Sequence, residues 1–279
     1  MGLRLSVTLL TVIPWRADGD DAVPGSNPDG GPDGGTAPPR AAAGAAMAWA
    51  PTVGLLLGVI ASAVLLLADD PLGAGPLTAS GLAVGSLALL TRGLHLDGLA
   101  DLADGLASGK PAPAALDIMR RSDIGPLGVV TLVLTLLLQV AALSQAESAG
   151  HGRGPAALIA AVVTGRLALT WACRRGVPAA RPDGLGALVA GSVRPAVPAT
   201  ATAVTLAAAA AAVATSAAMA GGQLSWTLPL AVAAGLAVAF AVQRHAVRRL
   251  GGITGDVLGA LAEIATTVTL VVAAMGPPA

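Results

Sequence analysis

Acidic side chains are concentrated in one short stretch of this otherwise apolar chain, between residues 92 and 128. Asp97, Asp101 and Asp104 are spaced four and three residues apart, so a helix would place their carboxylates on one face. Like charges on one face repel, and the repulsion grows near low-dielectric surroundings. Mg²⁺ would reverse it, because this ion prefers carboxylate oxygens and completes its shell with water and substrate phosphates. The spacing therefore predicts a Mg²⁺ site for phosphoryl transfer, with a solvated amphipathic face as the alternative.

Several arginines could bind the phosphate that such a site requires. The planar guanidinium donates parallel hydrogen bonds to phosphate, which makes Arg120 and Arg121 candidates for substrate binding. Their position is equally typical of a basic flank before an apolar segment. Arg166 falls inside an apolar segment, where a charge needs either an ionic partner or a substrate.

Three further ionisable residues are candidates for the same site. His95 precedes Asp97 by two residues and could act as a general base or donate to phosphate, although a hydrogen-bonded interfacial histidine has the same sequence pattern. Asp256 begins the last apolar segment and could bind substrate or simply cap the helix. Glu263 lies about two turns further along, where it could extend the acidic face or pair with Arg166.

The composition indicates the class of protein that must position these residues. The chain has 279 residues, of which 54% are hydrophobic, and a mean hydropathy of +0.76. These values predict an all-α, polytopic protein whose partner is the lipid bilayer. The net charge of zero gives no reason to expect nucleic acid. The single cysteine, Cys173, excludes an intrachain disulfide and cysteine-based zinc sites, and the chain has neither a GxSxG nor a Walker A motif.

Long apolar segments predict about seven transmembrane helices in a single membrane domain, residues 1–279. The segments are Ala42–Leu67, Leu77–His95, Leu127–Leu143, Pro155–Cys173, Val197–Ala220, Trp226–Ala246 and Val257–Met275. Leu3–Ile13 is too short to span and predicts an uncleaved interfacial or re-entrant helix. Residues 17–39 are rich in Gly, Pro and Asp and predict a disordered loop. The acidic stretch predicts a helix that continues directly from the second span.

The distribution of basic residues predicts the orientation of the chain in the membrane. If the connections alternate between the two sides, fourteen of the sixteen Lys and Arg residues fall on one side, which also carries the acidic stretch. By the positive-inside rule this side is cytoplasmic. The sequence thus predicts a multi-pass protein of the cell (inner) membrane with its active site on the cytoplasmic face.

Several motifs resemble those of the cobalamin synthase family, the adenosylcobinamide-GDP ribazoletransferases. The stretch Gly93-Leu94-His95-Leu96-Asp97-Gly98-Leu99-Ala100-Asp101, with Asp104-Gly105, resembles the family signature. Pro51–Gly58, Arg181–Gly186 and Gly251–Gly259 resemble other family motifs. In Arg121-Ser122-Asp123 the acidic and basic residues are exchanged relative to the usual order, which still allows an ion pair.

The resemblance implies a reaction and a set of partners. α-Ribazole, or its 5′-phosphate, would attack the cobinamide phosphate of adenosylcobinamide-GDP and release GMP, completing the nucleotide loop of cobalamin. It implies Mg²⁺ at Asp97, Asp101 and Asp104, with Asp104 as the acceptor of the hydroxyl proton, and it adds Arg181 to the substrate-binding candidates. The chain could also form a homo-oligomer.

Two other functions fit part of the pattern. A transporter or permease would explain polar residues inside spans, although the charges cluster at one membrane face and no inverted repeat is evident. A CDP-alcohol-type phospholipid phosphotransferase would use similar acidic residues. Its D-x₂-D-G-x₂-A-R arrangement differs from the spacing of Asp97, Asp101 and Asp104.

Overall fold

The computed structural model describes residues 2–11, 40–121, 123–150, 152–220 and 227–275, and the predicted loop 17–39 lies outside this part of the chain. The described residues form helices without any strand, apart from two isolated β-bridges. The helices are α1 (Gly2–Leu10), α2 (Arg40–Ala48), α3 (Ala50–Asp69), α4 (Gly75–Leu90), α5 (Leu94–Ala107), α6 (Ala112–Ile118), α7 (Pro126–Ser148), α8 (Arg153–Ala172), α9 (Gly184–Val189), α10 (Ala196–Ala220), α11 (Thr227–Leu250) and α12 (Gly255–Ala274).

Six of these helices are long and apolar enough to cross a membrane, namely α3, α7, α8, α10, α11 and α12. The bent pair of α4 and α5 makes a seventh span if the two are taken together. This confirms the prediction of an all-α polytopic membrane protein with about seven spans. The short helix predicted over Leu3–Ile13 corresponds to α1, which ends at Leu10.

The prediction that the acidic helix continues directly from the second span is wrong. The axes of α4 and α5 differ by 87°. The helix α5 therefore turns away from α4 and is not one of the six spanning helices. Arg92 and Gly93 make this turn in the left-handed region, with φ of 53° and 66°. The bend brings α5 against α12, whereas a straight continuation would carry its aspartates away from that helix.

The predicted segment Ala42–Leu67 is also two helices. The backbone breaks at Trp49, between α2 and α3, and Pro51 occupies the first turn of α3. Proline is well tolerated there, because its missing N–H would have no partner in the first turn of a helix. The spanning helix is therefore α3 alone.

The core of the bundle is formed by α8 and α12, the most buried spanning helices. Gly54 and Gly58 of α3 let it approach α8 closely, since a Cβ on them would lie 3.0 Å from the Cα atoms of Val163 and Ile159. The similar pair Gly81 and Gly85 on α4 makes no such contact with the described residues, because a Cβ on either glycine would have no atom within 4 Å.

Candidate active site

The site is built where α5 crosses the start of α12. A Cβ on Gly98 would lie 2.8 Å from both the Cα and the carbonyl oxygen of Asp256, and a Cβ on Gly259 would lie 3.1 Å from the Cα of His95. Two glycines therefore allow the backbones to touch. This contact brings the acidic helix α5 beside Asp256, the acidic residue in the first turn of α12.

A cavity of about 310 Å³ lies at this crossing. Its ionisable lining residues are His95, Asp97, Arg181, Asp183 and Asp256. A larger cavity of about 690 Å³ lies among α3, α8 and α10, and the described residues that line it have apolar and threonine side chains but no ionisable group. The smaller cavity is therefore the one equipped for charge-dependent chemistry. It brings together four of the residues predicted from the sequence and adds Asp183.

Asp101 shows that like charges converge at this crossing. Its pKa rises to about 7, first because it is partly buried and then because Asp97, Asp256 and Asp104 are close, while Arg181 acts in the opposite direction. The carboxylates repel one another at neutral pH. A bound cation would relieve that repulsion.

Arg181 and Thr254 hold Asp256 at the cavity wall. The Thr254 hydroxyl donates to Asp256 Oδ2 at 3.2 Å, and Arg181 Nη1 lies 3.9 Å from the same oxygen. Arg181 Nη2 donates to the Leu116 carbonyl at 2.5 Å, while its buried Nε has no hydrogen-bond partner among the described residues. Arg181 lines the cavity and carries a positive charge, so it is suited to an anionic ligand there.

Asp104 makes different contacts from Asp97 and Asp101. Its carboxylate accepts from the backbone N–H of Gly125 at 2.7 Å and of Gly128 at 2.9 Å, at the start of α7. A Cβ on Gly125 would lie 2.5 Å from Asp104 Oδ1, so glycine leaves room for the carboxylate. Asp104 therefore satisfies two N–H groups that a helix start leaves free and places a negative charge at the positive end of the helix dipole.

The two adjacent arginines differ in their contacts. Arg120 Nη2 donates to both carboxylate oxygens of Asp183, at 2.7 and 2.9 Å, and so links the end of α6 to the cavity rim. Both side chains are about half exposed or more, so this pair adds little stability. Arg121 and Asp123 are exposed, and these two described residues do not form the ion pair that their sequence allows.

His95 and Arg166 meet beneath the cavity. Both side chains are buried, and Arg166 Nη2 lies 3.5 Å from His95 Nδ1. Arginine can only donate, so Nδ1 accepts and the ring proton is on Nε2. Burial, and then the charge of Arg166, lower the pKa of His95 well below its ordinary value, so the ring is neutral.

Glu263 is placed by α7 and not by Arg166. Gln139 Nε2 donates to Glu263 Oε2 at 2.9 Å and to the Thr267 hydroxyl at 3.0 Å. Glu263 and Arg166 do not form an ion pair in the described part of the chain, so of the two alternatives for Glu263 the pairing with Arg166 is not a direct contact.

The acidic residues at the crossing offer oxygen ligands, the type that Mg²⁺ prefers. Among the described residues no three His, Cys, Asp or Glu side chains lie close enough together to enclose a metal ion. A site with fewer than three such ligands still fits Mg²⁺. This ion is usually held by one or two carboxylates and completes its shell with water and phosphate oxygens.

Two residues of the site are not among the candidates that the sequence indicates. Asp183 lines the cavity and binds Arg120, and Thr254 holds Asp256 while its hydroxyl also accepts from Val257 N at 3.2 Å. Both lie inside the motifs Arg181–Gly186 and Gly251–Gly259. The sequence therefore indicates these two residues only as parts of the motifs, and the motifs do not show what each residue does.

Comparison with known proteins identifies the family. Residues 2–274 match the cobalamin-5-phosphate synthase family. A relative from Frankia casuarinae, named adenosylcobinamide-GDP ribazoletransferase, is 44% identical over 99% of this chain and 95% of its own length. Relatives of the same name from a Nocardioides species and from Bradyrhizobium diazoefficiens are each 39% identical, over 81% and 87% of this chain and 84% and 88% of their own lengths.

No solved structure matches the chain. The comparisons give no support to a transporter or to a phospholipid phosphotransferase. The match extends over the α5–α12 crossing and the motifs that build the cavity, so this membrane protein belongs to the cobalamin-5-phosphate synthase family.

Proposed function

We propose that this chain joins α-ribazole, or its 5′-phosphate, to the cobinamide phosphate of adenosylcobinamide-GDP. The ribazole hydroxyl oxygen attacks the phosphorus attached to cobinamide and a new P–O bond forms. The bond between that phosphorus and the GMP oxygen breaks, and GMP leaves with the electron pair. The hydroxyl proton passes to a base, and the product is adenosylcobalamin or its 5′-phosphate. The relatives' names describe this class of transfer.

One observation carries the proposal. Asp97, Asp256 and Arg181 line one cavity, and Asp101 lies next to them with a pKa of about 7. Phosphoryl transfer needs positioned charge more than covalent chemistry from the protein. An acidic cluster beside a half-buried arginine supplies both signs of charge at one place.

Asp97 and Asp101 would hold Mg²⁺, and the carboxylate of Asp256 adds negative charge beside them. When bound, this ion offsets negative charge on the reacting phosphoryl oxygens and on the leaving group. Asp104 does not hold the ion, because its two carboxylate oxygens already accept hydrogen bonds from α7. Asp104 is thus a positioning residue in this proposal.

The other candidate residues act around the phosphates. Arg181, which lines the cavity, binds a phosphate oxygen through its guanidinium. His95 is a hydrogen-bond donor and not a general base, since its proton is on Nε2. Arg166 keeps His95 in this state, and Glu263 is held deeper in the bundle by Gln139. Arg120 and Arg121 lie exposed outside the cavity, where they meet the incoming anionic substrate.

The size and location of the cavity limit how the substrates enter. A volume of about 310 Å³ is at the lower end for small-molecule sites, so the phosphate end of the substrate enters while the corrin ring stays outside. The arginine distribution supports a cytoplasmic opening in the cell membrane.

The test uses the purified full chain in liposomes with adenosylcobinamide-GDP, α-ribazole and Mg²⁺. We expect GMP and the corrinoid product to form in equal amounts, with loss of both after chelation of the metal. Absence of GMP with both substrates and Mg²⁺ present would overturn the proposed function. Equal rates with and without chelator would overturn the role of Mg²⁺ alone.

A further inference from the structure

A second charged cluster lies away from the cavity, at the end of α8 and in the second half of α11. The Arg174 guanidinium carbon is 5.2 Å from the centre of the Phe240 ring, and that of Arg244 is 5.6 Å from the same ring. Arg174 is also 5.8 Å from the centre of the Trp171 ring. We call Arg174, Arg244, Trp171 and Phe240 the arginine–aromatic cluster. None of its members lines the cavity of the candidate site.

Arg174 is fixed in place on one side. Its Nη1 donates to the Trp171 carbonyl at 2.8 Å and to Gln243 Oε1 at 3.1 Å, while Gln243 Nε2 donates to the Ala172 carbonyl at 3.3 Å. The remaining side-chain N–H groups of Arg174 make no hydrogen bond to the described residues and are not buried, so they face outward. The guanidinium is thus held ready for a ligand on its outer side.

The charges of the cluster are not neutralised by the described part of the protein. The pKa of Arg174 is lowered first by partial burial and then by the charge of Arg244. Neither Arg174 nor Arg244 forms an ion pair with any described residue. The two guanidinium groups beside the Phe240 ring repel each other. An anion bound by both would offset that repulsion. Arg174 and Arg244 thus place two positive charges close together, as the aspartates at the cavity do with negative charges.

The position of the cluster indicates the type of anion. Arg174 follows the end of the spanning helix α8 directly, and Phe240 is 41% exposed on the outer surface of the spanning helix α11. Aromatic rings and arginines at a helix end are typical of the membrane–water interface. Anionic lipid headgroups lie at this depth and are attracted to juxtamembrane arginines.

We propose that the arginine–aromatic cluster is a binding site for the phosphate headgroup of an anionic phospholipid. Arg174 and Arg244 bind the phosphodiester oxygens, and the Phe240 ring orients both guanidinium planes and contacts the glycerol and acyl region below. The site is separate from the transferase chemistry, so it can be tested without substrates.

The experiment measures lipid binding by the full chain, using native mass spectrometry during titration with phosphatidylglycerol or phosphatidylcholine. We expect Arg174→Gln and Arg244→Gln each to weaken phosphatidylglycerol binding about fivefold, with phosphatidylcholine unaffected. Arg248→Gln is the matched control, because Arg248 is exposed on the same helix one turn later and contacts no ring of the described residues. It should change binding less than twofold.

Three results would overturn the proposal. An equal effect of all three substitutions would show non-specific attraction to a basic face. Equal binding of both lipids by the wild type would show no headgroup recognition. Displacement of phosphatidylglycerol by millimolar inorganic phosphate would show a site for a soluble anion. Because Arg244 is exposed, Arg244→Gln keeps the test valid even if Arg174→Gln lowers stability.

Discussion

Asp101 is the residue at which the electrostatics of the site can be measured most readily. Its carboxyl has a pKa of about 7, against an ordinary value of 3.8, because of burial and three neighbouring aspartates. Below pH 7 the metal-free carboxyl is protonated, so protons compete with the cation for it. Above pH 7 it is ionised and open to the cation.

Mg²⁺ affinity should therefore rise with pH through neutrality. The Mg²⁺ concentration for half-maximal GMP release should increase up to about tenfold per pH unit as the pH falls below 7, and should level off above it. The measurement is a Mg²⁺ titration of initial rates at pH 6, 7 and 8. A requirement that stays constant across this range would contradict the proposed role of Asp101.

Asp104 should behave differently from the aspartates of the cavity. Asp104→Asn replaces an acceptor oxygen by an amide donor facing the N–H groups of Gly125 and Gly128, so it should destabilise the protein by about 1–3 kcal/mol. The Mg²⁺ concentration for half-maximal activity should stay unchanged. Thermal unfolding in detergent and the Mg²⁺ titration together check this. A large shift in the Mg²⁺ requirement without loss of stability would return Asp104 to the metal site.

At the scale of elements, the site depends on how closely α5 approaches α12. Gly98→Ala puts a methyl group 2.8 Å from two backbone atoms of Asp256, and backbone cannot move aside as a side chain can. We expect at least about a tenfold loss of activity from misplacement of the aspartates. Gly81→Ala is the control, because no described atom lies within 4 Å of its Cβ position and it should be neutral. Equal activities of the two variants would show that the site still works when α5 and α12 are pushed apart, contrary to this prediction.

The sequence predicts those parts of the site that depend on local pattern. Helical spacing places Asp97 and Asp101 together, and apolar length locates α7, α8 and α12 to within a few residues at most ends. The 87° bend before α5 is not predicted, since Leu77–His95 reads as one apolar run. Asp104 contacts the start of α7 at residues that follow it by 21 and 24 positions. A local sequence pattern does not predict contacts over such a separation.

At the scale of the whole molecule, the described helices place Lys110 and Asp70 at opposite ends of the bundle. Lys110 follows α5 on the face of the candidate site, while Asp70 ends α3 on the other face, and both are exposed. The only native cysteine, Cys173, is buried and can be replaced by alanine. The orientation can therefore be read with single introduced cysteines.

In that background we expect Lys110→Cys to react with a membrane-impermeant maleimide only in inverted vesicles, and Asp70→Cys only in intact cells. The physical reason is the excess of arginine and lysine on the face of the site. The reverse labelling pattern would place the site outside the cytoplasm and refute the proposed orientation.

The most direct test of the central claim compares Mg²⁺-dependent GMP release by the wild type with three aspartate variants in liposomes. Asp97→Asn and Asp101→Asn should each lose about a hundredfold or more in rate, as expected when charge that acts in the transition state is removed. Asp117→Asn, an exposed aspartate of α6 outside the cavity, should keep the wild-type rate. Near-wild-type rates for both Asp97→Asn and Asp101→Asn, with the protein still inserted and folded, would contradict a metal-dependent transferase site at the crossing of α5 and α12.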